Sequence, residues 1–209
     1  MNSASAICGL YVIADTQVIV KNLIDSVAAA IEGGARVVQY RDKSNDTKKR
    51  QREATALCAL CQQHDIPFIV NDDVDLAQQS EAAGVHLGKH DGAIETAREQ
   101  LGNNAIIGIS CYNELELAHH AAVSGANYIA FGSFYSSPVK PDAVVANSKL
   151  LTQAKQELSL PMVAIGGITP ENGAELISSG ADSLAVISGV FSTNDIRSAA
   201  QSYAVLFTV

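Results

Sequence analysis

The sequence predicts a (β/α)8 TIM barrel, the α/β fold in which eight parallel strands close into a ring inside a layer of helices. Three observations carry that reading. Short β-rich apolar runs recur eight times, separated by segments with apolar residues at helical spacing. The runs are continuously apolar rather than alternating, which implies burial on both faces and hence a parallel sheet covered by helices. A small-residue pair recurs just before a strand, as GGAR (33–36), SGAN (124–127) and SGAD (179–182), the mark of one βα unit used repeatedly. Units of this kind in a chain of 209 residues most simply close into a barrel forming a single domain over 1–209. A doubly wound open sheet is the rival. It calls for a Gly-rich turn after the first strand, and IADTQVIV offers none.

Taken in order, the first strand is GLYVIAD (9–15), and NLIDSVAAAIEGG (22–34) follows as a helix with glycines where it should stop. The second strand, ARVVQYR (35–41), leads into DTKKRQRE (46–53), whose charge pattern reads as an exposed helix start. The third and fourth strands are IPFIVND (66–72) and GVHLG (84–88), and the fifth is IIGIS (106–110). ELELAHHAAVSG (114–125) is helical, with His119 and His120 facing solvent. The last three strands are YIAFGS (128–133), MVAIGG (162–167) and SLAVIS (183–188). His86, inside the fourth strand, reads as a packed, hydrogen-bonded barrel residue rather than a base.

In such barrels the chemistry sits at the C-terminal strand ends. Those ends carry Gln39, Arg41 and Lys43 after strand two, and Asn71, Asp72 and Asp73 after strand three. Asp91 follows strand four and Ser110 strand five, while Ser136, Ser137 and Lys140 follow strand six. Gly166-Gly167 and Ser188-Gly189 close strands seven and eight, where many barrels hold phosphate on bare backbone N–H groups; tight turns are the plainer account of those glycines. Opposite them, Arg41, Lys43 and Lys140 repel one another unless an anion lies between them. Asp72 and Asp91 are hard oxygen ligands of the kind Mg²⁺ takes with water and substrate phosphates. Two carboxylates with three cations suggest a metal diphosphate; rim salt bridges are the plainer alternative.

The formal net charge of −8 argues against a nucleic-acid binder, though not against a small anion held by a local cationic cluster. No apolar run is long enough to cross a bilayer, and MNSASAICGLYVIAD has no basic leader, so a cytoplasmic protein is expected. Cys58 and Cys61 form a CxxC within a helical pattern, without the second pair that a structural zinc site needs; Cys8 and Cys111 complete the cysteines, all expected to be incidental or structural.

QYRDK, VNDDVDLA, GVHLGKHD, IGIS, FGSFYSSPVK, AIGGI and AVIS, in this order, resemble the motif series of thiamine-phosphate synthases over nearly the whole chain. The resemblance implies a transferase that joins hydroxymethylpyrimidine diphosphate to hydroxyethylthiazole phosphate and releases diphosphate, assisted by Mg²⁺. It implies that Gln39, Arg41, Lys43, Asn71, Ser110 and Lys140 meet the pyrimidine diphosphate, and that Asp72 and Asp91 hold the metal. It assigns Gly167, Ile187 and Ser188 to the thiazole phosphate, and adds Tyr40, Asp42, Ser137, Pro138 and Val139 to the substrate-binding segments. Two departures stand out: Val139 replaces a threonine of the family's Thr-x-Thr-Lys, and Asp42 replaces a glutamate. A thiazole tautomerase and a non-catalytic thiazole-phosphate-binding regulator are the alternatives, and exposed barrel helices leave room for a homo-oligomer.

Overall fold

The computed structural model describes residues 7–20, 22–88, 91–136 and 146–208. The strands are β1 (Gly9–Asp15), β2 (Ala35–Arg41), β3 (Phe68–Asn71), β4 (Gly84–Leu87), β5 (Ile106–Tyr112), β6 (Tyr128–Gly132), β7 (Met162–Ile165) and β8 (Ser183–Val186). Each pairs in parallel with the next, and β8 pairs with β1, closing the barrel. The helices between them are α1 (Leu23–Glu32), α2 (Thr47–Gln63), α3 (Val74–Gln79), α4 (Ile94–Leu101), α5 (Leu115–Val123), α6 (Ser148–Glu157) and α7 (Pro170–Ser178). After β8 come a short α8 (Ser188–Phe191), α9 (Ile196–Ala204) and a 3₁₀ turn (Val205–Phe207).

The expected fold class is the observed one, and all eight strands lie where the apolar runs place them. The boundaries differ for local reasons. β3 starts at Phe68 because Pro67 has no N–H to give the ladder; its carbonyl instead accepts from Val38 N–H at 3.2 Å. β5 runs past Ser110 to Tyr112 across a register shift against β6. The recurring small pairs have a common office: Gly33, Ser124 and Ser179 are the C-cap residues of α1, α5 and α7, and each turns the chain into the next strand.

Two apolar cores follow from strand alternation. Outward residues such as Leu10, Val12, Val38, Val70, Leu87 and Ile107 pack against the helices. Inward residues Tyr11, Ile13, Val37, Ile69, Ile106, Tyr128, Val163 and Ala185 fill the ring, with Ile7 alongside. Gly108 makes this interior possible. Its register neighbours are His86 on β4 and Tyr128 on β6, and a Cβ at 108 would fall inside the Tyr128 ring. Without a side chain there, the tyrosine lies across β5 and stacks on His86, with centroids 5.5 Å apart and planes at 26°.

Alternation also sends Tyr40 and Asp42 outward, under α2. The Tyr40 hydroxyl donates to Glu53 at 2.8 Å and to Asp42 at 3.3 Å. Asp42 accepts from Lys49 Nζ at 2.7 Å and from Ser44 N–H at 2.6 Å. Burial works against the Asp42 charge, but the Lys49 ammonium and the Ser44 N–H outweigh it and hold the carboxyl at about 2, below its ordinary 3.8. This cluster pins the first turns of α2 to the end of β2.

A methyl group at Gly108 must displace the tyrosine ring, so Gly108→Ala is expected to cost about 1–3 kcal/mol by overpacking, read from urea unfolding. Asp42 loses its proton more readily folded than unfolded. Its contribution is therefore complete above about pH 4 and lost as pH falls through about 2. Asp42→Asn should remove about 2 kcal/mol at neutral pH and flatten that part of the acid limb, measured by denaturant unfolding at stepped pH.

Candidate active site

The C-terminal ends of β2, β3 and β4 surround a cleft of about 520 Å³. Lys43, Asn71, Asp72 and Asp91 line it, together with Arg50 from α2 and Asp73 at the start of α3. Asn71 is the last residue of β3 and pairs in register with His86 of β4. Asp72 then ends the strand with a left-handed backbone, φ 65°, its N–H donating to the His86 carbonyl at 2.8 Å. That conformation is uncommon for any residue but glycine, and aspartate is among those that tolerate it best. It breaks the alternation that would otherwise carry Asp72 outward.

The carboxylates of Asp72 and Asp91 interact directly, and Lys43 Nζ forms an ion pair with Asp72. Asp91 also accepts from Gly88 N–H at 2.8 Å. Burial and then the neighbouring Asp72 charge push the Asp91 carboxyl above its ordinary range. Burial acts the same way on Asp72, but the hydrogen bonds from Lys43 and Asp91 overcome it and hold that carboxyl low. Two carboxylates this close repel when both are ionised, and either a shared proton or a cation relieves them. The donor set suits Mg²⁺, which characteristically takes one or two carboxylates and fills its remaining positions with water and substrate phosphate oxygens.

The other expected residues divide. Arg41 does not line this cleft: its guanidinium pairs with Asp15, its register partner at the end of β1. Asp15 is 1% exposed and also accepts from Gln17 N–H at 2.9 Å, so the β1 turn holds the counter-charge in place. Gln39 and Ser110 face the barrel interior and stand at the two ends of a buried hydrogen-bond chain through Tyr11, Tyr128 and His86. His86 is the packed, hydrogen-bonded residue the sequence implied. Burial, opposed by the Asp72 charge, pushes it down to about 4, so its ring is neutral near pH 7. Tyr40 engages Glu53 and does not line the cleft, whereas Asp42 does line it, with its carboxylate held by Lys49.

Gly167 and Ser188 follow β7 and β8, with Ile187 as the N-cap of α8. Gly166 and Gly167 have φ of 106° and 62°, and the backbone after β6 lies against them: Tyr135 N–H donates to the Gly166 carbonyl at 3.0 Å. A Cβ at Gly167 would meet the carbonyl oxygens of Tyr135 and Ser136, so the close-packed turn alone requires glycine there. Ser137, Pro138, Val139 and Lys140, and the flanking Lys89 and His90, lie outside the described residues.

Four residues escaped the sequence reading. Asp15, Tyr11 and Tyr128 share the inward parity of their strands, but only ring closure shows what they meet. Arg50 had a legible signal: with Ala54, Leu57, Cys58 and Cys61 it continues the buried stripe of α2 at positions i, i+4, i+7 and beyond. Asp46, Thr47 and Lys48 are exposed, as expected of this helix start, while Lys49 holds Asp42 and Arg50 pairs with Asp73 at 2.8 Å beside the cleft. His120 is exposed as expected, and His119 is half-buried and paired with Glu157 at 2.7 Å. Cys58, Cys61 and Cys111 are free thiols, and burial raises Cys61 and Cys111 to about 12, which makes them unreactive. No described helix is long and apolar enough to cross a membrane.

Comparison with known proteins agrees with this architecture. Residues 10–190 match a family model described as thiamine monophosphate synthase. A thiamine-phosphate synthase from Nitrosococcus oceani is 49% identical over 201 residues, covering 96% of this chain and 93% of that one. The corresponding protein of Thiobacillus denitrificans is 48% identical over 199 residues, with 95% and 94% covered. The solved thiamine phosphate pyrophosphorylase of Pyrococcus furiosus superposes with a TM-score of 0.88 at 35% identity, covering 99% of this chain and 96% of that chain.

Asp15→Asn removes the counter-charge of Arg41 from a buried position. It is expected to lower stability by about 1–3 kcal/mol, read from urea unfolding at pH 7.

Proposed function

This chain belongs to the thiamine monophosphate synthase family and is an enzyme of that class, and on that premise we propose its reaction. It joins hydroxymethylpyrimidine diphosphate to hydroxyethylthiazole phosphate, giving thiamine phosphate and diphosphate, within one domain spanning the chain. The supporting observation is the interacting pair Asp72–Asp91 beside Lys43 and Asn71, in a cleft at the C-terminal strand ends.

The bond that breaks joins the pyrimidine methylene carbon to a diphosphate oxygen, and its electron pair leaves with the oxygen. The pyrimidine ring can delocalise the positive charge left on the methylene. The thiazole nitrogen lone pair then forms the new carbon–nitrogen bond, so no enzyme nucleophile is required. Rate acceleration rests on stabilising the departing charge and holding the reactants together. Mg²⁺, held by Asp72 and Asp91, would supply charge neutralisation to the diphosphate oxygens.

The side chains divide the remaining work. Lys43 is held by Asp72 in the free protein, so it is a cation already at the cleft and able to exchange its carboxylate for diphosphate. Arg41, fixed by Asp15, faces the mouth from the β1 side, and Lys140 belongs to the same set. Gln39, Asn71 and Ser110 supply neutral hydrogen bonds to the pyrimidine diphosphate. The segment of Ser137, Pro138 and Val139, with Gly167, Ile187 and Ser188, receives the thiazole phosphate, largely on backbone groups. Tyr40 and Asp42 act through the placement of β2 and α2.

Purified protein with Mg²⁺ and both substrates should release diphosphate and form thiamine phosphate. Asp72→Asn is the informative variant, because asparagine tolerates the left-handed backbone while removing the charge. Turnover should fall about 100-fold with the fold intact by circular dichroism. Equal product formation with a chelator present would remove the metal from this account. Binding of thiazole phosphate without product under any metal condition would favour a regulator.

A further inference from the structure

The barrel interior contains a continuous line of side-chain hydrogen bonds whose middle members, Tyr11, Tyr128 and His86, have no part in the reaction above. Gln39 Nε2 donates to the Tyr11 hydroxyl at 2.8 Å. Tyr11 and Tyr128 share a hydrogen bond of 2.9 Å between their hydroxyls. The Tyr128 hydroxyl lies 2.9 Å from His86 Nδ1, and His86 Nε2 lies 2.9 Å from Ser110 Oγ. The line joins β2, β1, β6, β4 and β5 through the centre of the ring.

Only one member has a direction fixed by its own chemistry. The Gln39 amide nitrogen donates and cannot accept. Tyr11 is 1% exposed, so its own proton needs an acceptor, and the Tyr128 oxygen is its remaining partner. Tyr128 must then pass its proton on to His86 Nδ1. With Nδ1 accepting, the imidazole carries its hydrogen on Nε2 and donates it to Ser110 Oγ. Run the other way, the chain would leave Tyr11 receiving from both Gln39 and Tyr128, with its own buried proton unpartnered. A doubly protonated ring has the same consequence. Ser110 alone is half-buried, at the rim.

We propose that Tyr11, Tyr128 and His86 are positioning residues forming a one-way hydrogen-bond chain from Gln39 to Ser110, which occupies the serine oxygen as acceptor and leaves its hydroxyl proton to be donated to an anion at the barrel mouth. That the anion is a diphosphate rests on the function proposed above. The polarity of the chain does not. A serine free to rotate divides its time between donating and accepting; this one is committed to donating, as stabilisation of developing negative charge requires.

Nitrogen-15 spectra of histidine-labelled protein test the polarity directly, with the His86 signals identified by their loss in His86→Gln. A protonated Nε2 and bare Nδ1 are expected. A protonated Nδ1, alone or with Nε2, overturns the proposal. The coupling to Ser110 is read from a double-mutant cycle on the affinity for inorganic diphosphate with Mg²⁺, by calorimetry. Tyr128→Phe and Ser110→Ala should each weaken binding about tenfold, and the double variant no more than Ser110→Ala alone. Independent losses multiplying to about 100-fold would make Tyr128 merely structural and sink the proposed action through Ser110. If Tyr128→Phe fails to fold, the His86 tautomer of the intact protein still decides. A wild-type protein that binds no diphosphate would refute the function proposed above, while the tautomer would continue to judge the chain.

Discussion

The constraint on which the structure depends is the two-residue alternation of parallel strands closed into a ring. In an open sheet the inward side chains of distant strands would never meet. Here closure brings β1 against β8 and puts Tyr11 within hydrogen-bond reach of Tyr128, although 117 residues separate them. The same parity sorts the β2 segment: Gln39 and Arg41 enter the barrel and the rim, while Tyr40 and Asp42 go under α2 and anchor it. Neighbouring residues in one short motif therefore do different physical work.

Electrostatics at the rim follow from that sorting. In a protein of net charge −8, three cations at the rim are each met by a carboxylate: Arg41 by Asp15, Lys43 by Asp72, Arg50 by Asp73. Such pairing suppresses the mutual repulsion of the cations and holds their side chains in defined positions. It also suits exchange, because an anion arriving at the rim can replace carboxylate partners without first ordering free lysines and arginines. The left-handed backbone of Asp72 belongs to this arrangement, aiming a carboxylate where the strand alone would not.

The interior has a second kind of order. Gly108 removes one side chain from the ring, and the space is filled by the Tyr128 ring stacked on His86 and set edge-on to Tyr11. A buried polar line of this sort is stable only when every member is satisfied. That requirement gives the line a direction, and the direction reaches the rim at Ser110.

Much of this was legible in the sequence. Continuous apolar runs ending in polar residues determined the barrel, its strand positions and the end at which the chemistry gathers, because period and burial are local properties of the chain. The motif series determined the family. Asn71, Asp72, Asp91 and Lys43 could be assigned to one rim for the same reason. What only tertiary structure decided are the pairings across the ring: Asp15 with Arg41, the line from Gln39 to Ser110, and the turn of Tyr40 onto Glu53 and of the Asp42 carboxylate onto Lys49. Those depend on register, on which strands face one another after closure, and on where a missing side chain leaves room, and none of these is written in the spacing of residues along one strand.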